Sequence, residues 1–364
     1  LNADRHAPWR ARLDAIARAG RTRRVRTLTP TGPVTALLDG QEVLVACSND
    51  YLGLAWDPAV RAAAAGGGAG GARLISGARP IHRALEDAVG ALHGGRALLF
   101  STGYLANLAA FSTLPVEGAL VASDAANHAS IIDGLRLGAA RRQVVPHADP
   151  RAIPADAHMI ALEGLFSMDG DVPPLAAYPR DPWLFVDEAH ALGCLGPDGR
   201  GAAAAAGVTP DVVIGTFGKA CGAAGAYVAG PPEAIELLIN AGRSFIFSTA
   251  PPEPVAAMAL AGLRRATTDA ALRERLADRA RRLRDGLTQL GWCPLGSAHI
   301  VPVVVGPSVM EVAARLLSRG VFAPGIRWPT VPQGAERVRL TASAAMDDDH
   351  IDRIIEAFGP APTA

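Results

Sequence analysis

Lysine is almost missing from this chain of 364 residues: of 35 lysines and arginines, Lys219 alone is a lysine. An excess of either charge is missing too. Acidic residues also number 35, so the formal net charge is zero and nothing favours nucleic acid or an anionic membrane as a partner. Cysteine is scarce, and Cys47, Cys194, Cys221 and Cys293 lie apart, with no CxxC pair and no histidines at ligand spacing. Neither a disulfide framework nor a metal site follows. No apolar run reaches the length of about 18 residues needed to span a membrane. The stretch "LNADRHAPWRARLDAIARAG" lacks the apolar core of a signal peptide and mixes acids with its bases. The expectation is a cytoplasmic protein. Apolar residues at 49% and charged residues at 19% are the balance of a soluble globular enzyme, with length enough for two domains.

What is present alternates. After an amphipathic helix carrying Trp9, Leu13 and Ile16, "ALLDGQEVLVACS" predicts a hairpin turning at Asp39 and Gly40. Short apolar runs follow at intervals: "RALLFST", "GALVASD", "RQVVPH", "HMIALEG", "WLFVDEAH", "DVVIGTF" and "GAYVAG". Ala-rich helical stretches or loops separate most of them. That pattern predicts an α/β fold with a mainly parallel sheet of seven strands covered by helices. From about Pro251 the pattern changes to that of a smaller α+β unit. The expected division is residues 1–45, an N-terminal helix and hairpin; 46–250, a large domain; and 251–364, a small one. Polar residues cluster where strands should end: Ser123 and Asp124, Glu163, Asp187 and His190, Thr216 and Lys219. Ligands of such sheets sit at the carboxyl ends of strands, so one pocket can collect them. "GGGAGG" at 66–71 satisfies GxGxxG literally but follows a helical stretch rather than a strand, so it is not a dinucleotide fingerprint. The arginines of 273–284 recur among Leu and Ala at helical spacing and read as a solvated helix face. Those of "RTRRVR" at 21–26 have no such simple explanation.

Lys219 follows the buried-looking strand "DVVIG" and sits among Gly218, Gly222 and Gly225 with hardly a charge nearby. An ammonium in such surroundings loses proton affinity. Lysine can then act as a nucleophilic amine or a proton shuttle, which arginine cannot. The cofactor that exploits such a lysine is pyridoxal phosphate, whose ring nitrogen needs an acidic partner. Asp187, 32 positions earlier at the end of "WLFVD", is placed to supply it. Ser101, Thr102 and Gly103 at a helix start, with Thr216, suit a phosphate.

"CSNDYLGL", "STGYLAN", "NHASIIDG", "LEGLFSMDGD", "VDEAHALGCLGPDGRG", "TFGKACG" and "FIFSTAPP", in this order, resemble the α-oxoamine synthases, fold-type-I pyridoxal phosphate enzymes. The resemblance runs from about Arg23 to the last helix. It implies that Lys219 holds the cofactor covalently, Asp187 pairs with the ring nitrogen, His190 meets the ring oxygen and His128 stacks on the ring. It implies Gly103 and Tyr104 near the phosphate with Thr216, Ser167 lining the pocket, and Thr249 reaching a neighbouring subunit's phosphate in a homodimer. It sets Arg23, Asn49, His128, Thr330 and Arg339 at substrate positions, Arg339 on the amino-acid carboxylate. "IRWPTVPQGAERVRLT" is similar to the biotin-pathway branch, so the implied reaction is decarboxylative condensation of L-alanine with pimeloyl-CoA. Trp328 and Met346 depart from that branch's pattern, on the side expected to face the acyl chain. Condensation of glycine with acetyl-CoA remains open within the family, and an aminotransferase on the same fold outside it. His82, His93, His147, His158, His299 and His350 read as structural.

Overall fold

The computed structural model describes residues 4–362. The N-terminal helix forms over Ala7–Arg18 but buries none of its residues; Trp9 and Leu13 are 67% and 63% exposed. Strands β1 (Leu28–Pro30), β2 (Thr35–Leu38) and β3 (Gln41–Val45) follow. β2 and β3 make the expected hairpin, with Asp39 and Gly40 both at positive φ, 54° and 82°. A two-residue turn of this hand matches the twist of the strands it joins.

The seven apolar runs all become strands of one sheet: β4 (Arg96–Phe100), β5 (Leu120–Asp124), β6 (Arg141–Val145), β7 (Met159–Glu163), β8 (Trp183–Asp187), β9 (Val212–Thr216) and β10 (Ala226–Gly230). Their order across the sheet is β4-β10-β9-β8-β7-β5-β6, and only β10 runs antiparallel to its neighbours. Both faces are apolar because helices cover both. Along β7, Ile160 and Leu162 join one core with Leu184 and Val186, while Met159 and Ala161 join the opposite core with Phe185 and Ile214. The parallel strands therefore deliver Asp124, Glu163, Asp187 and Thr216 to one edge.

A smaller unit holds β11 (Ile300–Val304), β12 (Val321–Phe322), β13 (Gly325–Ile326) and β14 (Arg337–Thr341). β11, β14 and β13 form an antiparallel sheet, whereas β12 pairs in parallel with β3. The N-terminal hairpin is thus part of the small unit, and Val34, Leu44 and Ala46 share a core with Val301, Val338 and Ile354. Helix Glu253–Thr268, expected in the small domain, instead buries Ala256, Ala259, Leu263 and Ala266 in the core of the large one. Both shifts come from long-range packing, to which composition along the chain is blind. The arginine-rich helix Ala270–Gln289 turns Leu272, Leu276, Leu283 and Leu287 inward and exposes Arg275 and Arg281, while Arg273, Arg279, Arg282 and Arg284 are half-buried. Among the described residues no helix is long and apolar enough to cross a membrane.

Candidate active site

β9 ends at Thr216, and a tight loop carries Lys219 back over the strand ends. Gly262 shows how closely this loop is backed: a Cβ there would lie 1.9 Å from the Cys221 carbonyl oxygen. The Lys219 Nζ lies 2.9 Å from His190 Nε2. Burial lowers the proton affinity of the amine, against the pull of Asp187 and Glu163. A reactive amine needs that direction of shift.

Asp187 is buried at the end of β8. Its Oδ2 accepts from Asn107 Nδ2 at 2.7 Å and its Oδ1 from the Ala189 N–H at 2.9 Å. Asn107, from the helix Gly103–Thr113, also donates to Ser130 Oγ at 2.8 Å, and Ser130 Oγ lies 2.7 Å from His128 Nδ1. One polar chain therefore links Asp187 to His128, which caps the helix Ala129–Leu137. On the adjacent strand, burial and Asp187 push the Glu163 pKa up, and its Oε1 has no hydrogen-bond partner among the described residues.

At the other end, Thr102 caps the helix Gly103–Thr113 by accepting from the Leu105 N–H, leaving the first amides of the helix free for an anion. A Cβ on Gly103 would lie 3.8 Å from Thr216 Cβ, so Thr216 flanks this helix start. The Thr249 carbonyl accepts from Ser101 Oγ at 3.2 Å. The Tyr104 ring stands edge-on to His128, with centroids 6.4 Å apart, and its hydroxyl donates to Asp133.

His190 has a second neighbour, Tyr51, whose Oη lies 2.6 Å from its Nδ1. Tyr51 Oη also approaches Asn49 Oδ1 at 3.0 Å, and Arg339 donates to Asn49 Oδ1 from Nη1 at 3.2 Å. Arg339, on β14, donates from Nε to the Ser167 carbonyl. Burial first, and the charges of Lys219 and Arg339 next, hold His190 neutral. Lys219, His190, Asn49, Ser167 and Arg339 thus form one continuous network. Tyr51, Asn107 and Ser130 belong beside them and were not among the expected site residues, whereas Glu163 was expected at a strand end of this pocket. Tyr51 and Asn107 lie inside motifs that carry the family resemblance, and Asn107 is the one amide in an Ala-rich helical run. His299, expected to be structural, packs on Tyr51 with ring centroids 4.1 Å apart.

Arg23 and Thr330 meet elsewhere. They line a groove of about 870 Å³ with Arg21, Arg24, Arg26 and Arg327, beside Met310, Leu317 and Trp328. The Arg21 guanidinium lies 4.5 Å from the centre of the Trp328 ring. No hydrogen bond among the described residues joins Arg23 or Thr330 to the Lys219 network. Met346 is buried in the small-unit core.

Residues 41–358 match the family model "Aminotransferase class I and II". The chain is 41% identical to the putative 8-amino-7-oxononanoate synthase of Desulforudis audaxviator, covering 96% of this chain and 97% of the relative. It is 43% identical to the 8-amino-7-oxononanoate synthase of Halorhodospira halophila, covering 96% and 94%. The chain belongs to the α-oxoamine synthase family. Among solved structures it is similar to serine palmitoyltransferase of S. paucimobilis with bound PLP–myriocin aldimine, at a TM-score of 0.89 and 30% identity, covering 98% of each chain. α-Oxoamine synthases are fold-type-I pyridoxal phosphate enzymes, and the residues present fit that group. A buried carboxylate, an amine of lowered proton affinity, a neutral imidazole and a free helix N-terminus beside a threonine converge at one sheet edge.

Proposed function

We propose that this α-oxoamine synthase condenses L-alanine with a pimeloyl thioester, releasing carbon dioxide and the free thiol and forming 8-amino-7-oxononanoate for biotin synthesis. The observation that carries the reading is the continuous path from Lys219 through His190 and Tyr51 to Arg339. It joins the Lys219 amine to a guanidinium able to bind a carboxylate through one chain of polar contacts. Bound pyridoxal phosphate supplies an electron sink for negative charge developing at the amino acid's α-carbon. Lys219 serves as its covalent anchor and, once free, as the base that takes and returns the α-proton. Asp187, held by Asn107 and the Ala189 amide, carries negative charge to the ring nitrogen. His190 addresses the ring oxygen and His128 the ring face. The helix start at Gly103, with Tyr104 and Thr216, would take the phosphate, and Thr249 would reach the neighbouring subunit's phosphate. Arg339, with Asn49 and Ser167, orients the amino-acid carboxylate, since a guanidinium can bind it through two parallel hydrogen bonds.

The arginine groove supports pimeloyl over acetyl donors. A thioester whose far end is a carboxylate has use for Arg23 and Thr330 there; an acetyl group does not. Substrates are of the amino-acid and acyl-CoA class, and no nucleic acid or membrane is called for. We further propose a cytoplasmic homodimer with its active sites at the subunit boundary. Phe247 beside the phosphate end, Ile75 and Trp9 are exposed apolar residues that support such a contact. The test is to supply L-alanine or glycine against pimeloyl-CoA and acetyl-CoA and to identify the product and the carbon dioxide. Turnover only with glycine and acetyl-CoA moves the chain to the short-chain branch, and amino transfer without loss of carbon dioxide refutes the family reaction.

A further inference from the structure

Tyr51 is fully buried and its ring is pressed against that of His299, so its hydroxyl is fixed in position. Three groups surround that oxygen: His190 Nδ1 at 2.6 Å, Asn49 Oδ1 at 3.0 Å and Arg339 Nη2 at 3.4 Å. Arginine can only donate, so it takes one of the oxygen's lone pairs. The single phenolic proton must then go to Asn49 or to His190. Asn49 Oδ1 accepts from Arg339 Nη1 at 3.2 Å and keeps one lone pair for Tyr51, whereas among the described residues His190 Nδ1 has no side-chain partner but Tyr51. The alternative would aim an imidazole N–H and a guanidinium N–H at the same oxygen, two positive ends together. The shorter distance and the unserved acceptor both favour His190.

We propose that Tyr51 is a positioning residue whose hydroxyl donates to His190 Nδ1, fixing the tautomer in which Nε2 carries the proton and faces Lys219. A neutral imidazole has one protonated nitrogen, and the partner of one decides the state of the other. Burial first, and then the charges of Lys219 and Arg339, with His299 and His128 farther around it, keep His190 uncharged. The Nε2–H then faces the Lys219 amine, whose proton affinity burial lowers, the direction that lets it accept. Tyr51 itself stays protonated, since burial raises its proton affinity. Resting on the proposed cofactor reading, the same Nε2–H is presented to the cofactor's ring oxygen when Lys219 is covalently engaged. A donor there stabilises the negative oxygen and so lowers the proton affinity of the cofactor–Lys219 link.

The experiment uses the cofactor-loaded enzyme with ¹⁵N-labelled histidine. Expected is a His190 signal with an unprotonated, hydrogen-bonded Nδ1 and a protonated Nε2. A proton on Nδ1 in the unsubstituted enzyme overturns the proposal. Tyr51→Phe adds a second arm: the pH titration of the cofactor's colour should move upward by about one unit, the worth of one charge-assisted hydrogen bond. A titration unchanged from wild type also overturns the proposal. Failure to turn over L-alanine with a pimeloyl donor would sink the substrate reading and leave the tautomer result standing.

Discussion

His147 offers a test of how the loop that carries Ser167 is held. Its Nδ1 lies 2.9 Å from Asp124 Oδ1, at the end of β5, and its Nε2 lies 3.0 Å from Asp171 Oδ2, in the loop after β7. The ring also stands edge-on to Phe166, with centroids 4.4 Å apart. Hydrogen bonds to the two carboxylates push the imidazole pKa from 6.5 up to about 10. His147→Gln removes the charge and at least one of the two bonds. Asp124 is not left bare, because the Ala126 and Ala148 amides each donate to it at 2.8 Å. The loss is therefore smaller than for a broken buried pair, where it reaches about 3–5 kcal/mol. Solvent reaches His147 and Asp171, each with 32% of its side chain exposed, and screens the pairs. We expect about 1–2 kcal/mol at neutral pH. The sign follows from linkage: a pKa raised on folding gives stability that is complete below the unfolded value, near 6.5, and is lost as pH rises through the folded value, near 10. Urea unfolding at fixed protein concentration should thus separate variant from wild type at pH 6 to 7 and bring them together above about pH 10. An equal gap at both pH values refutes the electrostatic account. The variant should also raise the amino-acid KM, because the Arg339 acceptor on Ser167 belongs to this loop.

Arg339→Ala should raise the amino-acid KM by about ten- to a hundredfold, the worth of about 1.5–3 kcal/mol in a lost charge-assisted contact. The acyl-donor KM should hardly change, and equal effects on both would remove Arg339 from the carboxylate site. Borohydride reduction of the loaded enzyme followed by peptide mapping should put the label on Lys219, and Lys219→Arg should fold yet take no label; a labelled arginine variant would contradict the covalent role. Gly262→Ala should lower stability by about 1–3 kcal/mol in a denaturant titration, since its Cβ would collide with the Cys221 carbonyl at 1.9 Å. Wild-type stability in that variant would mean that the helix can back away from the lysine loop.

The seven strands were legible because each is a short apolar run bounded by turn residues, and a doubly covered parallel sheet makes such runs obligatory. The hairpin was legible in Asp39 and Gly40, which suit the positive φ of its turn. Lys219 was marked by being the one lysine, and Asp187 and His190 by polarity at a strand end, where chemistry is local to the chain. The domain edges were not legible. The parallel partner of β3 is β12, about three-quarters of the chain away, and helix Glu253–Thr268 joins the core that fits its small Ala and Gly face rather than the unit that follows it in sequence. Nor were the contacts that tune the site. Asn107 lies 80 positions from Asp187, Tyr51 139 from His190 and Asn49 290 from Arg339. A polar side chain in a local pattern shows its need for a partner, but the identity of that partner is settled only when the sheet, its covering helices and the small unit close on one another. The same closure separates Arg23 and Thr330 into a groove of their own, and it turns Met346, read from the motif as facing the acyl chain, into core packing.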